Sequence, residues 1–198
     1  MPSTVDTLEI VHYPHPALRW KSKPIVRIDD ELRGVVRRMF ELMYEFHGIG
    51  LAANQVGLPY RLFVVNVSGE QGDPDEEVVF LNPEITRRKG SKEEEEGCLS
   101  LPELFGPVRR AEEVVVEAFD LEGREFRMNL DDLPARAIQH ELDHIDGVLF
   151  IDRMTDAARR ELEERIADFE SHFRRQQESG RIPSDEEIRR QLRAIEPS

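Results

Sequence analysis

His140-Glu141-Leu142-Asp143-His144 sets two imidazoles four residues apart, with a carboxylate directly after the first. On an α-helix, positions i and i+4 share a face, so both rings can turn toward one ion. Neutral imidazoles suit a divalent transition metal, and Glu141 is placed to take a proton from a water held there. The chemistry predicted is metal-assisted hydrolysis. A catalytic site of this kind uses three protein ligands and keeps one position open, so a third ligand must come from elsewhere in the chain.

Two sources compete for that third position. One is a downstream carboxylate, Glu161 or Glu164, as in thermolysin-like proteases. The other is Cys98, the single cysteine, in Glu96-Gly97-Cys98-Leu99-Ser100-Leu101-Pro102. A thiol beside a divalent cation is deprotonated outright. The run Glu93 to Glu96 opposes a thiolate by its charge, which makes a metal the better reason for a reactive Cys98. Spacing leaves the choice open.

The segment Gly48-Ile49-Gly50-Leu51-Ala52-Ala53-Asn54-Gln55 superficially fits a dinucleotide fingerprint. That fingerprint needs a strand before it and a helix after it, whereas a helical pattern precedes this one and Leu58-Pro59 follows. Its small residues suit a peptide backbone lying against it, with the Gln55 amide able to donate to a carbonyl oxygen.

The elements that position these residues can be read from periodicity. Asp29 or Asp30 caps a helix to about Phe46, with Leu32, Val35, Val36, Met39, Phe40 and Met43 as its apolar stripe. Residues 61–67 and 78–82 read as strands, with Pro83 marking a change of pairing and Gly72-Asp73-Pro74-Asp75 a polar loop. Residues 113–119 and 124–130 form a hairpin about Asp120–Gly123. Asp131 or Asp132 caps the helix that carries His140, Glu141 and His144, and Gly147 lies beyond its end. From Asp156 the composition shifts to charged helix formers with a narrow stripe of Leu162, Ile166 and Phe169. Ser184-Asp185-Glu186-Glu187 opens a last short helix.

Bulk properties limit the rest. A chain of 198 residues, 34% of them charged, reads as one domain with a substantial core. A net charge of −14 argues against gripping nucleic acid through the overall field. No run of about eighteen apolar residues predicts a membrane span, and Met1–Asp6 carries no basic-then-apolar signal. The expectation is a cytoplasmic protein.

Three segments, taken together, resemble the peptide deformylases: Gly48 to Gln55, Glu96 to Ser100 and Gln139 to His144, in that order. The resemblance runs from about Leu8 to Met154. It implies an α+β fold with antiparallel or mixed sheets around a central helix, 1–154 forming the catalytic domain and 155–198 a charged helical extension of it. It makes Cys98, His140 and His144 the ligands of one divalent ion, Fe2+ in the cell, with Zn2+, Ni2+ or Co2+ able to substitute. Glu141 would be the general base, with Gln55 and the Leu99 backbone N–H as oxyanion donors. The implied substrate is a nascent N-formylmethionyl peptide, cleaved to formate and a free amine. Gly50 and Gly97 would hold its backbone by strand addition, Ile49, Leu51 and Ala137 its methionine, and Arg109 or Arg110 its chain. Asp143 would support a ligand histidine or the fold. Arg136 stands where many family members carry an apolar residue, which bears on pocket shape. The extension, mixed in charge, allows a transient ribosome contact. Two rivals are a zinc peptidase using a carboxylate ligand and a non-catalytic peptide-binding module.

Overall fold

The protein is represented by a computed structural model that describes residues 4–70 and 76–197. The loop expected at 72–75 and the first three residues lie outside that range.

Helix α1 (Asp30–Glu45) starts where Asp29 accepts the Leu32 N–H at 3.0 Å, satisfying one of the orphan donors of the first turn. Strands β1 (Gly50–Ala52), β2 (Leu62–Val65) and β3 (Val78–Lys89) follow, then β4 (Lys92–Cys98) and β5 (Leu101–Arg110). The hairpin of β6 (Glu113–Phe119) and β7 (Glu125–Asp131) leads directly into α2 (Asp132–Ile145). The last elements are α3 (Asp156–Glu161), α4 (Glu163–Glu178) and α5 (Asp185–Ala194).

Five strands form one antiparallel sheet in the order β1-β2-β3-β6-β7, and β4 with β5 forms a separate pair. Strand β2 explains how the sheet is filled. All four of its residues are buried, and successive side chains point to opposite faces. Leu62 and Val64 pack with Met39, Met43 and Leu51 on the α1 side; Phe63 and Val65 pack with Ile138, Leu142 and Ile145 on the α2 side. The sheet is therefore covered by a helix on each face here, which is why residues 62–65 read as continuously apolar. Truncating a fully buried ring such as Phe63 would cost about 3–5 kcal/mol.

Strand β3 runs longer than expected. Pairing with β6 shifts between Leu81 and Glu84, around Pro83, where Asn82 takes φ of 51° and its amide bonds both backbone groups of Ile25. The bulge lets the strand continue past the proline instead of ending at it. The β4–β5 pair is not apparent from periodicity, because its first strand is the acidic run Glu93 to Glu96.

Helix α2 is buried at every position from Ala135 to Ile145, so it is the centre of the domain. Asp131 sits at its N-cap position but makes no capping side-chain bond. Gln139 bonds both backbone groups of Ala111, at 3.0 and 2.9 Å, fixing the helix against the start of the hairpin. The charged tail does not form one helix: it breaks at Leu162 between α3 and α4. Ile166 joins a core with Leu101, Leu104, Val108 and Phe150, and Phe173 packs with Ala17, Ile188 and Leu192.

Candidate metal centre and pocket

One turn of α2 separates His140 from His144, and their Nε2 atoms stand 3.2 Å apart. Cys98, at the end of β4, brings its Sγ to 3.2 Å from His144 Nε2. Among the described residues these three form a group whose ligand atoms lie within 4.8 Å of one another. A tetrahedral ion with metal–nitrogen bonds of about 2.0–2.1 Å and a metal–sulfur bond of about 2.3 Å separates N from N by about 3.3 Å and S from N by about 3.6 Å. The donor set thus fits a small tetrahedral ion closely on its nitrogens and somewhat tightly on its sulfur. Glu161 and Glu164 are both exposed in the tail and outside this group.

Ring orientation is set from behind. His140 Nδ1 lies 3.0 Å from Glu96 Oε2, so this nitrogen carries the proton and Nε2 keeps its lone pair for the ion. Burial pulls the His140 pKa down, but the Cys98 and Glu96 partners outweigh it and raise it to about 10 without an ion. Burial and the neighbouring His140 hold His144 well below its ordinary value, in the neutral form that a metal requires.

Glu96 is itself deeply paired. Arg110 donates to it at 2.7 and 2.9 Å, and Arg136 at 2.6 Å. Burial alone would push its carboxyl upward, yet His140 and Arg110 hold it well below the usual carboxylate range. Arg110 also donates to Asp143 at 2.7 Å, and Asp143 receives Arg153 at 3.0 and 2.6 Å. The acidic run read as an obstacle to a thiolate therefore contributes one member, Glu96, whose charge is consumed by two guanidinium groups and an imidazole. Among the described residues, Asp143 is linked to His140 through Arg110 and Glu96.

Gln55 sits in a 3-10 turn, Ala53–Val56, just after edge strand β1. Its Oε1 accepts the Ala52 N–H at 2.8 Å, which fixes the amide orientation. Its Nε2 then faces Ser100 Oγ at 3.3 Å and Cys98 Sγ at 3.5 Å. Leu99 lies in the turn joining β4 to β5 and lines the same cavity. Glu141 is buried, its Oε2 has no hydrogen-bond partner among the described residues, and burial raises its pKa to about 7. That value lies near the operating range of a general acid–base group.

These groups line a cavity of about 560 Å³. Ile49, Gly50, Gly97 and Ala137 are in its wall. Gly50 has to be glycine, since a Cβ there would stand 2.5 Å from Glu141 Oε1. Two residues expected at the substrate are elsewhere. Leu51 is fully buried in the α1 core because β1 alternation turns it away, and Arg110 spends its donors on Glu96 and Asp143. Arg136 lines the cavity, but its guanidinium is drawn off by Glu94, Glu96 and the carbonyls of Lys92 and Val108. With its charge held there, an arginine can serve where an apolar residue would. Phe46, Phe105, Leu133 and His12 also line the wall; nothing in local spacing marks them, because each comes from a different part of the chain.

A family model described as polypeptide deformylase matches residues 7–160. A peptide deformylase of Rhodopirellula baltica is 48% identical over 187 residues, covering 94% of this chain and 92% of that protein. One from Acidobacterium capsulatum is 50% identical over 153 residues, covering 77% and 89%. The crystal structure of Arabidopsis thaliana peptide deformylase 1B with an inhibitor superimposes with a TM-score of 0.82 at 42% identity, covering 89% of this chain and 96% of that one.

Proposed function

The chain belongs to the polypeptide deformylase family, and from that premise we propose which residues perform its reaction. The protein is a metal-dependent hydrolase that removes the N-formyl group from the N-terminal formylmethionine of new proteins and releases formate. The assignment of roles is carried by one observation: Cys98, His140 and His144 converge, and Cys98 and His140 line one cavity with Glu141, whose buried Oε2 has no hydrogen-bond partner among the described residues.

Cys98, His140 and His144 would hold one divalent ion, Fe2+ in the cell, a choice that thiolate and imidazole donors favour over Mg2+ or Ca2+. When bound, such an ion supplies Lewis-acid polarisation and lowers the pKa of water. Glu141 takes the proton of the attacking water onto its carboxylate and later gives it to the departing amine nitrogen, so the products are formate and a free amino terminus. Gln55 Nε2 and the Leu99 N–H donate to the carbonyl oxygen as negative charge builds on it. Each such donor contributes about 3 kcal/mol of transition-state stabilisation. Ile49 and Ala137 receive the methionine side chain, and the backbone at Gly50 and Gly97 holds the peptide extended.

In this reading 1–154 is the catalytic domain, 155–198 is its extension, and the reaction takes place in the cytoplasm, where formylated chains are made. Relatives named chloroplastic indicate that the compartment follows the cell and not the fold. A transient ribosome contact through the extension belongs to the same reading. Because Ile166 and Phe173 are buried, removing the charges of Arg175 and Arg189 tests it better than deletion. Lost co-sedimentation with ribosomes would support the contact and unchanged binding would reject it. The roles at the centre are tested by formate release from formyl-Met-Ala-Ser together with metal content. Cys98→Asp should disturb both; a variant that keeps its metal and full activity would return the third ligand to a tail carboxylate.

A further inference from the structure

The catalytic cavity borders another. A second cavity, of about 840 Å³, shares His12, Pro102 and Glu103 with it. The far wall of this second cavity is α4, which presents Asp168, Phe169 and His172. That wall is fastened to the catalytic body. Tyr13 donates its hydroxyl to Glu170 at 2.6 Å, Arg165 donates to the Glu103 carbonyl at 2.5 Å, and Phe173 is buried. The near wall is equally fixed: the Val11 and Tyr13 N–H groups bond the carbonyls of Gln55 and Ser100, at 2.8 and 2.9 Å, tying it to the catalytic turns. The groove between them is preformed.

A deformylase acts on the first residue of a long chain. A cavity of 560 Å³ lies within the range of about 300–1,000 Å³ that suits a small ligand, a fit for the start of the peptide. We propose that the second cavity is the continuation of the substrate site and holds the downstream stretch of the nascent polypeptide, extended between residues 9–13 and α4. The proposal rests on the deformylase reading above. The groove also has a charge preference. Glu9, Glu103 and Asp168 contribute three carboxylates against the two guanidinium groups of Arg165 and Arg181, and Arg165 is held in place by its bond to the Glu103 carbonyl. Phe169 adds an apolar surface. Basic and apolar downstream segments suit it better than acidic ones.

The test compares the metal-loaded enzyme on three substrates: formyl-Met-Ala-Ser, a nonapeptide beginning the same way with lysines at positions four to seven, and its glutamate counterpart. The lysine peptide should exceed the tripeptide in kcat/KM by about threefold to tenfold, as a few exposed ion pairs allow, and the glutamate peptide should gain nothing. Asp168→Lys, at an exposed position of α4, should erase the lysine advantage and leave the tripeptide unchanged. Equal kcat/KM for all three substrates in the wild type, or an Asp168→Lys effect that scales all three alike, would overturn the proposal. Failure to turn over even the tripeptide would instead overturn the deformylase reading, and this proposal with it.

Discussion

Glu96 Oε2 stands 3.0 Å from His140 Nδ1, on a carboxylate that Arg110 and Arg136 also grip. The strand pair β4–β5 is thereby joined to α2 through the back of a metal ligand. Removing the Glu96 charge leaves two buried guanidinium groups short of a partner and frees the imidazole. Glu96→Gln should weaken metal affinity by about 10–100-fold and unfolding free energy by about 3–5 kcal/mol. Chelator competition and urea unfolding measure the two. Unaltered metal affinity would show that Glu96 serves the fold alone.

Glu141→Gln keeps the shape of the side chain and removes its ability to take a proton. Deformylation should fall by about 10²–10⁴-fold, with metal content unchanged because no ligand is touched. Retention of full turnover would remove Glu141 from the role of base.

Gly50 and Glu141 share space that a methyl group cannot enter, the Cβ falling 2.5 Å from Oε1. Gly50→Ala should displace the carboxylate and lower kcat by about 10²-fold, the scale of a 1 Å misplacement. Gly34→Ala provides the contrast, since its Cβ would meet nothing closer than 3.5 Å inside α1. It should leave kcat alone and stabilise the protein by about 0.5–1 kcal/mol. Equal kinetic behaviour of the two variants would dissociate the Gly50 contact from catalysis.

His15 gives a pH signature outside the Cys98, His140 and His144 group. Burial drops its pKa to about 4, and its Nδ1 accepts the Ala17 N–H. Above pH 6.5 it is neutral in both folded and unfolded chains and contributes no pH dependence. Between 6.5 and 4 only the unfolded chain takes up the proton, so stability falls with pH by on the order of 3 kcal/mol across that window. His15→Asn retains an acceptor at the cap and cannot titrate. Wild type should therefore lose about 2–3 kcal/mol of urea stability relative to the variant as pH drops from 7 to 4.5; a difference that does not change with pH would refute the assignment.

The parts of the site that lie close together in sequence were legible there. His140, Glu141 and His144 declare themselves because helical spacing places them without help from the rest of the chain, and α1 follows from its stripe and its Asp29 cap, whereas the cap expected for α2 makes no side-chain bond. The β4–β5 pair was not legible: a strand whose residues are Glu93 to Glu96 has no apolar alternation, and its register comes from pairing with β5. Arg110 was misplaced for a related reason. An arginine at a strand end looks solvated until the fold brings Glu96 and Asp143 to it.

By itself, the sequence determined the donor types, the helix that carries two of them and, through three ordered motifs, the resemblance that gave the family. Tertiary structure alone decided that Cys98 Sγ arrives 3.2 Å from His144 Nε2, that Gln55 points its amide N–H toward that sulfur, and that Leu51 turns into the core. The division has a physical cause. A helix fixes neighbours four residues apart through its own backbone bonds, whereas contacts across 43 to 46 residues exist only once the sheet and α2 have closed around a common core.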